Sequence, residues 1–298
     1  MKKILIAGGS GFVGEHLRRF FVSKYYEVYI LSTQRNLASQ SHVIYWNPYQ
    51  RDIEWKESIL FDAVINLAGA NIGQKYWTKK RKQELVKSRI ESTLFLKELI
   101  HHGQLKTNYF IQSSAVGYYG DRGSQILDET SSNGEGFLAN LCHDWEQSIE
   151  DIVIPYSIHR LGVVFHPKEG AFSKLTLGLK FKILVILGRG SQIISWIDIE
   201  DLCAQFFFSI EHQLEGIYNA VAPQPVSYLY LLKKYNQKFG GISMPLVIPS
   251  FLVRFVLKDF SEMFLYSQKV SSKKIESLGM KYEVPSFRTF LHYYRKKF

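Results

Sequence analysis

The sequence has little cysteine. Cys142 and Cys203 are its only two, and they lie far apart in 298 residues. That excludes a disulfide framework and a cysteine-based zinc site. The nine histidines are scattered, with no His-x-x-x-His spacing beside a glutamate, so no metal site is expected. Long apolar runs are missing too. The start MKKILIAGG superficially mimics a signal peptide, but Ile4–Ala7 is shorter than the roughly 7–15 residues of a signal core. Ile183–Leu187 and Phe206–Phe208 fall far short of the roughly 20 apolar residues that span a membrane. These absences predict a reduced, cytoplasmic protein with no membrane partner.

Acidic residues are also in short supply: 27 Asp and Glu against 37 Lys and Arg, a net charge of +10. A basic chain invites nucleic acid, anionic lipid or small anionic ligands. The excess is local. Residues 75–89 carry seven basic side chains and one acidic, and residues 265–298 carry eight and two. The 75–89 segment has no helix-turn-helix context and reads as a solvated helix face. A small anionic ligand is therefore expected, and nucleic acid is not. A homodimer is left open.

What is present is an ordinary globular composition, 46% hydrophobic and 15% aromatic. The chain alternates strand and helix patterns. Strands are predicted at Ile4–Ala7, Val28–Leu31, Ala63–Leu67, Tyr109–Ile111 and Ile158–Phe165. Helices are predicted over Phe12–Val22, Trp77–His101 and Gly136–Ile149. Strand, glycine turn, helix and strand within about 30 residues make a βαβ unit. The alternation fades after residue 165. The fold class is α/β: a Rossmann-type, doubly wound parallel sheet over residues 1–165 with a return segment near 193–222. A smaller C-terminal α+β substrate or cap region takes 166–192 and 223–298.

Gly8, Gly11 and Gly14 form G-x-x-G-x-x-G directly after the first strand and at the start of the first helix. Such glycines allow the tight turn, close approach to a pyrophosphate and close helix–strand packing. The helix N-terminus then faces the phosphates with free N–H groups and partial positive charge. Ser10, Phe12 and Val13 belong to the same cofactor set. An NAD site would place an acid about 20 residues on, at the end of the second strand. There the sequence reads Leu31-Ser32-Thr33-Gln34-Arg35. Ser32 and Thr33 can hydrogen-bond a 2′-phosphate and Arg35 can pair with it, so NADP is expected over NAD.

Further segments extend the pattern: Asn66-Leu67-Ala68-Gly69, Tyr76-Trp77-Thr78, Ser88-Arg89, Ser113-Ser114 before Tyr118-Tyr119-Gly120-Asp121, Asp144-Trp145-Glu146 and Ser195-Trp196-Ile197-Asp198. In this order the chain resembles the extended short-chain dehydrogenase/reductase superfamily. Within it, the chain is similar to the atypical "epimerase family" branch that includes the human 39U-class member. The tail, with Pro249, Gln268, Gly279 and Pro285, resembles that branch's C-terminal domain of unknown function. The resemblance implies NAD(P) and hydride chemistry on a carbonyl or alcohol. It assigns Leu67, Ala68 and Gly69 to the turn beside the cofactor, and Arg89 to a helix position near the active site.

The superfamily's usual acid is a Tyr-x-x-x-Lys pair whose lysine and cofactor ribose lower the tyrosine pKa. Aligned on Trp145-Glu146, those positions hold Leu138 and Cys142. Tyr76/Lys80, Tyr230/Lys234 and Tyr293/Lys297 have the spacing but not the place. Ser114 keeps the catalytic serine position, and Tyr118 or Tyr119 is the substitute acid or else aromatic lining. Cys142 reads as an inert core thiol and Asp198 as a helix N-cap. Two functions follow. One is an NADP-dependent oxidoreductase or epimerase-like enzyme on a small-molecule, sugar-nucleotide-like substrate. The other is a non-catalytic, NADP-binding regulatory or redox-sensing protein.

Overall fold

The computed structural model describes residues 1–37, 39–55 and 59–295. Its first strand, β1 (Lys3–Ala7), carries four consecutive apolar residues, and all four are buried. A strand with both faces covered needs such a run, and parallel sheets supply that environment. Helix α1 (Phe12–Ser23) follows, burying Gly14, Leu17 and Phe21. β2 (Glu27–Ser32) then pairs parallel with β1, Ile4 opposite Val28 and Ile6 opposite Ile30.

The remaining strands of the sheet are β3 (Val43–Asn47), β4 (Asp52–Ile53), β5 (Ala63–Asn66), β6 (Phe110–Ala115), β7 (Tyr156–Leu161) and β8 (Gly216–Ala220). Their order is β8-β7-β6-β5-β1-β2-β3-β4. The chain runs from β1 outward through β2 and β3, then returns to the other side of β1 with β5 and β6. The winding thus reverses between β1 and β5. Loops at the carboxyl ends of strands flanking such a reversal are where open α/β sheets bind ligands. Here those loops are Gly8–Gly11 and Leu67–Gly69. β3 and β4 had no counterpart in the sequence reading; β4 runs antiparallel to β3, with Trp46 opposite Ile53.

Helix α2 (Lys79–His101) starts at Thr78, whose Oγ1 accepts the Arg81 N–H at 3.2 Å. The basic segment 75–89 is not wholly the solvated face expected of it. Arg81 is buried, donates to the Asn71 carbonyl and pairs with Glu84 at 2.7 Å. Arg89 also turns inward. Helix α3 (Phe137–Gln147) matches the predicted one. The predicted strand Ile158–Phe165 is broken into Tyr156–Leu161 and Val163–Phe165. Gly162 sits at the break, where an added Cβ would lie 2.9 Å from the Ser195 carbonyl oxygen and from the Val221 side chain.

The chain divides into two compact units. The first holds residues 1–114, 141–159 and 203–217; the second holds 115–140, 160–202 and 218–298. The sequence pattern sets the division near 165/166, with a return segment near 193–222. Residues 115–140 and 160–165 lie in the second unit, and 203–217 return to the first. The first unit's core includes Leu5, Leu31, Trp46, Val64, Leu96 and Phe110. The second unit's core is aromatic: Trp196 stacks on Phe165 at 5.0 Å, with Phe172, Phe287 and Phe290 around them. Asp198 caps the helix Ile199–His212, as expected, by accepting the Glu200 N–H at 2.9 Å. Among the described residues no helix is long and apolar enough to cross a membrane.

Candidate cofactor-binding site

The glycine loop closes on itself. The Gly11 N–H donates to the Gly8 carbonyl at 3.0 Å, and Gly8 has φ +80°, a left-handed conformation that glycine adopts at little cost. Gly14 is required by contact instead. A Cβ there would meet the Gly8 carbonyl oxygen at 2.4 Å and the Gly9 Cα at 2.6 Å. Only a bare Cα lets α1 come this close to the turn. Glu15 is the first residue of α1 bonded back, to the Gly11 carbonyl at 2.9 Å, so the preceding N–H groups face out of the helix end. This loop fits a pyrophosphate by backbone geometry.

In the first unit, a cavity of about 280 Å³ opens at this loop. Of the residues expected to bind cofactor, Gly8, Ser10, Ser32, Thr33, Ala68 and Gly69 line it. The sequence reading missed Trp46, Pro48 and Tyr49, from β3 and the turn after it, and Ser88 and Ser92 from α2. Ser88 and Ser92 sit four residues apart on one helix face, a spacing that could have flagged them. Gly11, Phe12, Val13, Gly14, Leu67 and Arg89 are not among the lining residues. Arg35 does not reach it. Its guanidinium pairs with Glu54 at 2.9 Å and Asp52 at 3.4 Å and lies 4.3 Å from the Tyr45 ring centre. Both carboxylates come from β4 and the residues after it.

A polar layer holds the Leu67–Gly69 turn in place. Asn66 is buried; its Nδ2 donates to Thr93 Oγ1 and Gln112 Oε1, each at 3.0 Å, and its Oδ1 accepts the Ala68 N–H at 3.1 Å. Trp145 Nε1 donates to the same Thr93 oxygen at 3.2 Å. Ser88 Oγ accepts the Ala70 N–H at 2.9 Å. β5, α2, β6 and α3 are thus joined under the turn by buried, satisfied hydrogen bonds, an arrangement that specifies one geometry.

Arg89 lies against this layer. It donates to the Leu85 and Ala70 carbonyls at 3.1 and 3.2 Å, and its guanidinium sits 5.0 Å from the Trp145 ring centre. Its stem is what Gly69 accommodates: a Cβ at Gly69 would lie 3.0 Å from it. Burial pushes the guanidinium pKa down to about 10, with the nearby Cys142 thiol acting the other way. No carboxylate among the described residues pairs with it. Ser114 is buried, and its hydroxyl donates to Glu146 Oε1 at 2.6 Å.

In the second unit, Tyr119 is fully buried. Its hydroxyl donates to Asn219 Oδ1 at 2.7 Å and accepts from Arg160 at 3.0 Å. Burial pushes its pKa up to about 12, against the pull of Arg160 and Asn219. Tyr118 is only partly buried, with the Arg160 guanidinium 3.4 Å from its ring centre.

Residues 4–143 match the NAD dependent epimerase/dehydratase family, and residues 248–293 match a domain of unknown function, DUF1731. An epimerase family protein of Mycobacterium leprae is 32% identical over 286 residues, covering 94% of this chain and 91% of that protein. The chain belongs to the epimerase family. The human epimerase family protein SDR39U1, isoform 2, solved with NADPH, has a similar fold: TM-score 0.89, 24% identity, 99% of this chain and 100% of that one. UDP-glucuronic acid 4-epimerase of Bacillus cereus, solved with UDP-glucuronic acid and NAD, superposes at TM-score 0.74 with 19% identity, over 99% of this chain and 100% of its own.

Leu138 and Cys142, which the resemblance sets at the expected acid and lysine positions of this epimerase family member, both lie on α3. The Leu138 and Phe137 N–H groups donate to the two carboxylate oxygens of Glu262, each at 3.0 Å, so a carboxylate from a distant segment caps α3. Cys142 is buried and forms no disulfide among the described residues.

Proposed function

We propose that this epimerase family protein binds NADP at the glycine loop and performs hydride chemistry on a small carbonyl or alcohol substrate, sugar-nucleotide-like compounds being the first class to try. The observation that carries this reading is the cavity itself. A phosphate-accepting loop and helix end open into it, and the end of β2 presents Ser32 and Thr33 to it with no carboxylate. The NADPH found with the human relative and the NAD found with the Bacillus enzyme support a nicotinamide dinucleotide.

When bound, the nicotinamide gives or takes a hydride. The chain's own residues do the rest in this account. Backbone N–H groups of the loop hold the pyrophosphate, with Ser10 beside them. Ser32 and Thr33 hydrogen-bond the 2′-phosphate. Arg35 joins them only by exchanging its contacts with Glu54 and Asp52. Arg89 supplies, from α2, the positive charge that Cys142 cannot. Ser114, in the first unit, is the group assigned to the substrate oxygen; in the second unit Tyr119 has its hydroxyl committed to Asn219 and Arg160.

The second reading, an NADP-binding regulator without catalysis, is favoured by Leu138 and Cys142 standing where a proton-transfer pair is expected. The experiment that separates the two is nicotinamide absorbance across a panel of sugar nucleotides and secondary alcohols, with Ser114→Ala as control. Turnover lost in the variant supports the enzyme. NADPH binding without turnover on any of the panel supports the regulator.

A further inference from the structure

The second unit exposes far more large apolar side chains than a monomer's surface normally gathers in one stretch. They fall in three consecutive pieces of structure. The strand Met244–Ile248 pairs parallel with Ile183–Leu187, yet four of its five residues are exposed, Met244 at 71%. Ile242, just before it, is 94% exposed. Pro249 then leads into the helix Ser250–Leu257, where Val253 is buried and Phe251, Leu252, Phe255 and Val256 face outward. Phe251 is 68% exposed and Phe255 81%. At 100° per residue those four side chains form one continuous arc on the side away from Val253. Phe181 lies alongside: the Met244 N–H donates to the carbonyl of its neighbour Lys182 at 2.8 Å. Scattered exposed apolar residues need no explanation; a run of them from Ile242 to Val256 does.

The charge around the set narrows what covers it. Residues 170–190 contain Lys174, Lys180, Lys182 and Arg189 and no acid, and residues 240–260 contain Arg254 and Lys258 against one acid, the exposed Asp259. Lys174, Lys180, Lys182, Arg254 and Lys258 are all exposed. A second copy of the chain meeting this face through a two-fold axis would bring these like charges together. An acidic bilayer surface would accept both features: aromatic and aliphatic side chains at the headgroup level, with lysine and arginine against the headgroups. The lack of a membrane-spanning run, from which no membrane partner was expected, does not bear on such interfacial contact.

We propose that this face of the second unit docks on membranes rich in anionic lipid. Flotation of the full chain with phosphatidylcholine vesicles, with and without about 30% phosphatidylserine, tests it. Binding is expected to be at least about tenfold greater on the anionic vesicles and to fall at high salt. Phe251→Glu with Phe255→Glu should abolish it. Both positions are exposed, so the variant's melting temperature and NADPH binding should match the parent's, which keeps the test separate from the proposed cofactor site. Lys180→Gln with Lys182→Gln and Lys258→Gln should remove the preference for anionic lipid. Equal or absent binding to the two vesicle types, or undiminished binding by the double glutamate variant, overturns the proposal. So does a dimer in light scattering that the double glutamate variant disperses.

Discussion

The Arg89 guanidinium lies 5.0 Å from the centre of the Trp145 ring, beside Cys142 on the same helix, and no carboxylate among the described residues answers its charge. A part-buried cation held by carbonyls and an aromatic face is poorly compensated. A bound anion would compensate it. Arg89→Met, which keeps the stem packed on Gly69, should therefore weaken NADPH binding by about tenfold or more while leaving the melting temperature unchanged or raised. Fluorescence titration and a thermal melt together check both parts.

Gly14 tests the loop by contact. With Gly8 and Gly9 backbone atoms within 2.8 Å of any Cβ, Gly14→Ala must push α1 off the turn. A cost of about 1–3 kcal/mol is expected, with NADPH affinity falling more steeply than stability because the helix end no longer faces the phosphate. Denaturant unfolding and titration on the same variant separate the two effects.

The first unit's fold was legible because its cues are local. Ile4–Ala7, the three glycines and the apolar spacing of α1 lie within the first 25 residues. The site was legible there, at the end of β2 and in the Leu67–Gly69 turn, from which Ser32, Thr33, Ala68 and Gly69 line the cavity as expected. Trp46, Pro48 and Tyr49 reach the cavity because β3 pairs with β2, and nothing near residue 46 announces that pairing. Arg35 has partners that the sequence does not show. It reads as a free cation after β2, and only the hairpin of β3 and β4 brings Asp52 and Glu54 to it. The chain changes unit at Ser114/Ala115 and His159/Arg160, within strands that are continuous in pattern.

Ser114 and Glu146 make a buried pair, so Ser114→Ala has two consequences. It leaves a carboxylate short of a donor, at a cost of about 1–3 kcal/mol in unfolding experiments. It should also abolish any turnover found on the substrate panel while NADPH still binds. Turnover equal to the parent's would remove Ser114 from the active site.

Asp198 gives a pH signature. Burial pushes its carboxyl up to about 7, against the Glu200 N–H and Tyr294 hydroxyl that favour ionisation. Its Oδ2 has no hydrogen-bond partner among the described atoms. The folded protein thus keeps a proton that the unfolded chain loses near 3.8. That contribution is fully present below about pH 4 and is lost as the pH rises through about 7, amounting at most to roughly 4 kcal/mol. Asn also caps helices well. Asp198→Asn should flatten melting temperature against pH over that window and raise it at pH 8. An unchanged slope would place the titration elsewhere.

The central claim is the cofactor, and direct titration of the unmodified protein with NADPH and with NADH tests it. The account predicts saturable binding of one NADPH per chain, at least about tenfold tighter than NADH, with Thr33→Asp shifting the preference toward NADH. Equal affinity for the two, or no saturable binding of either, would contradict it.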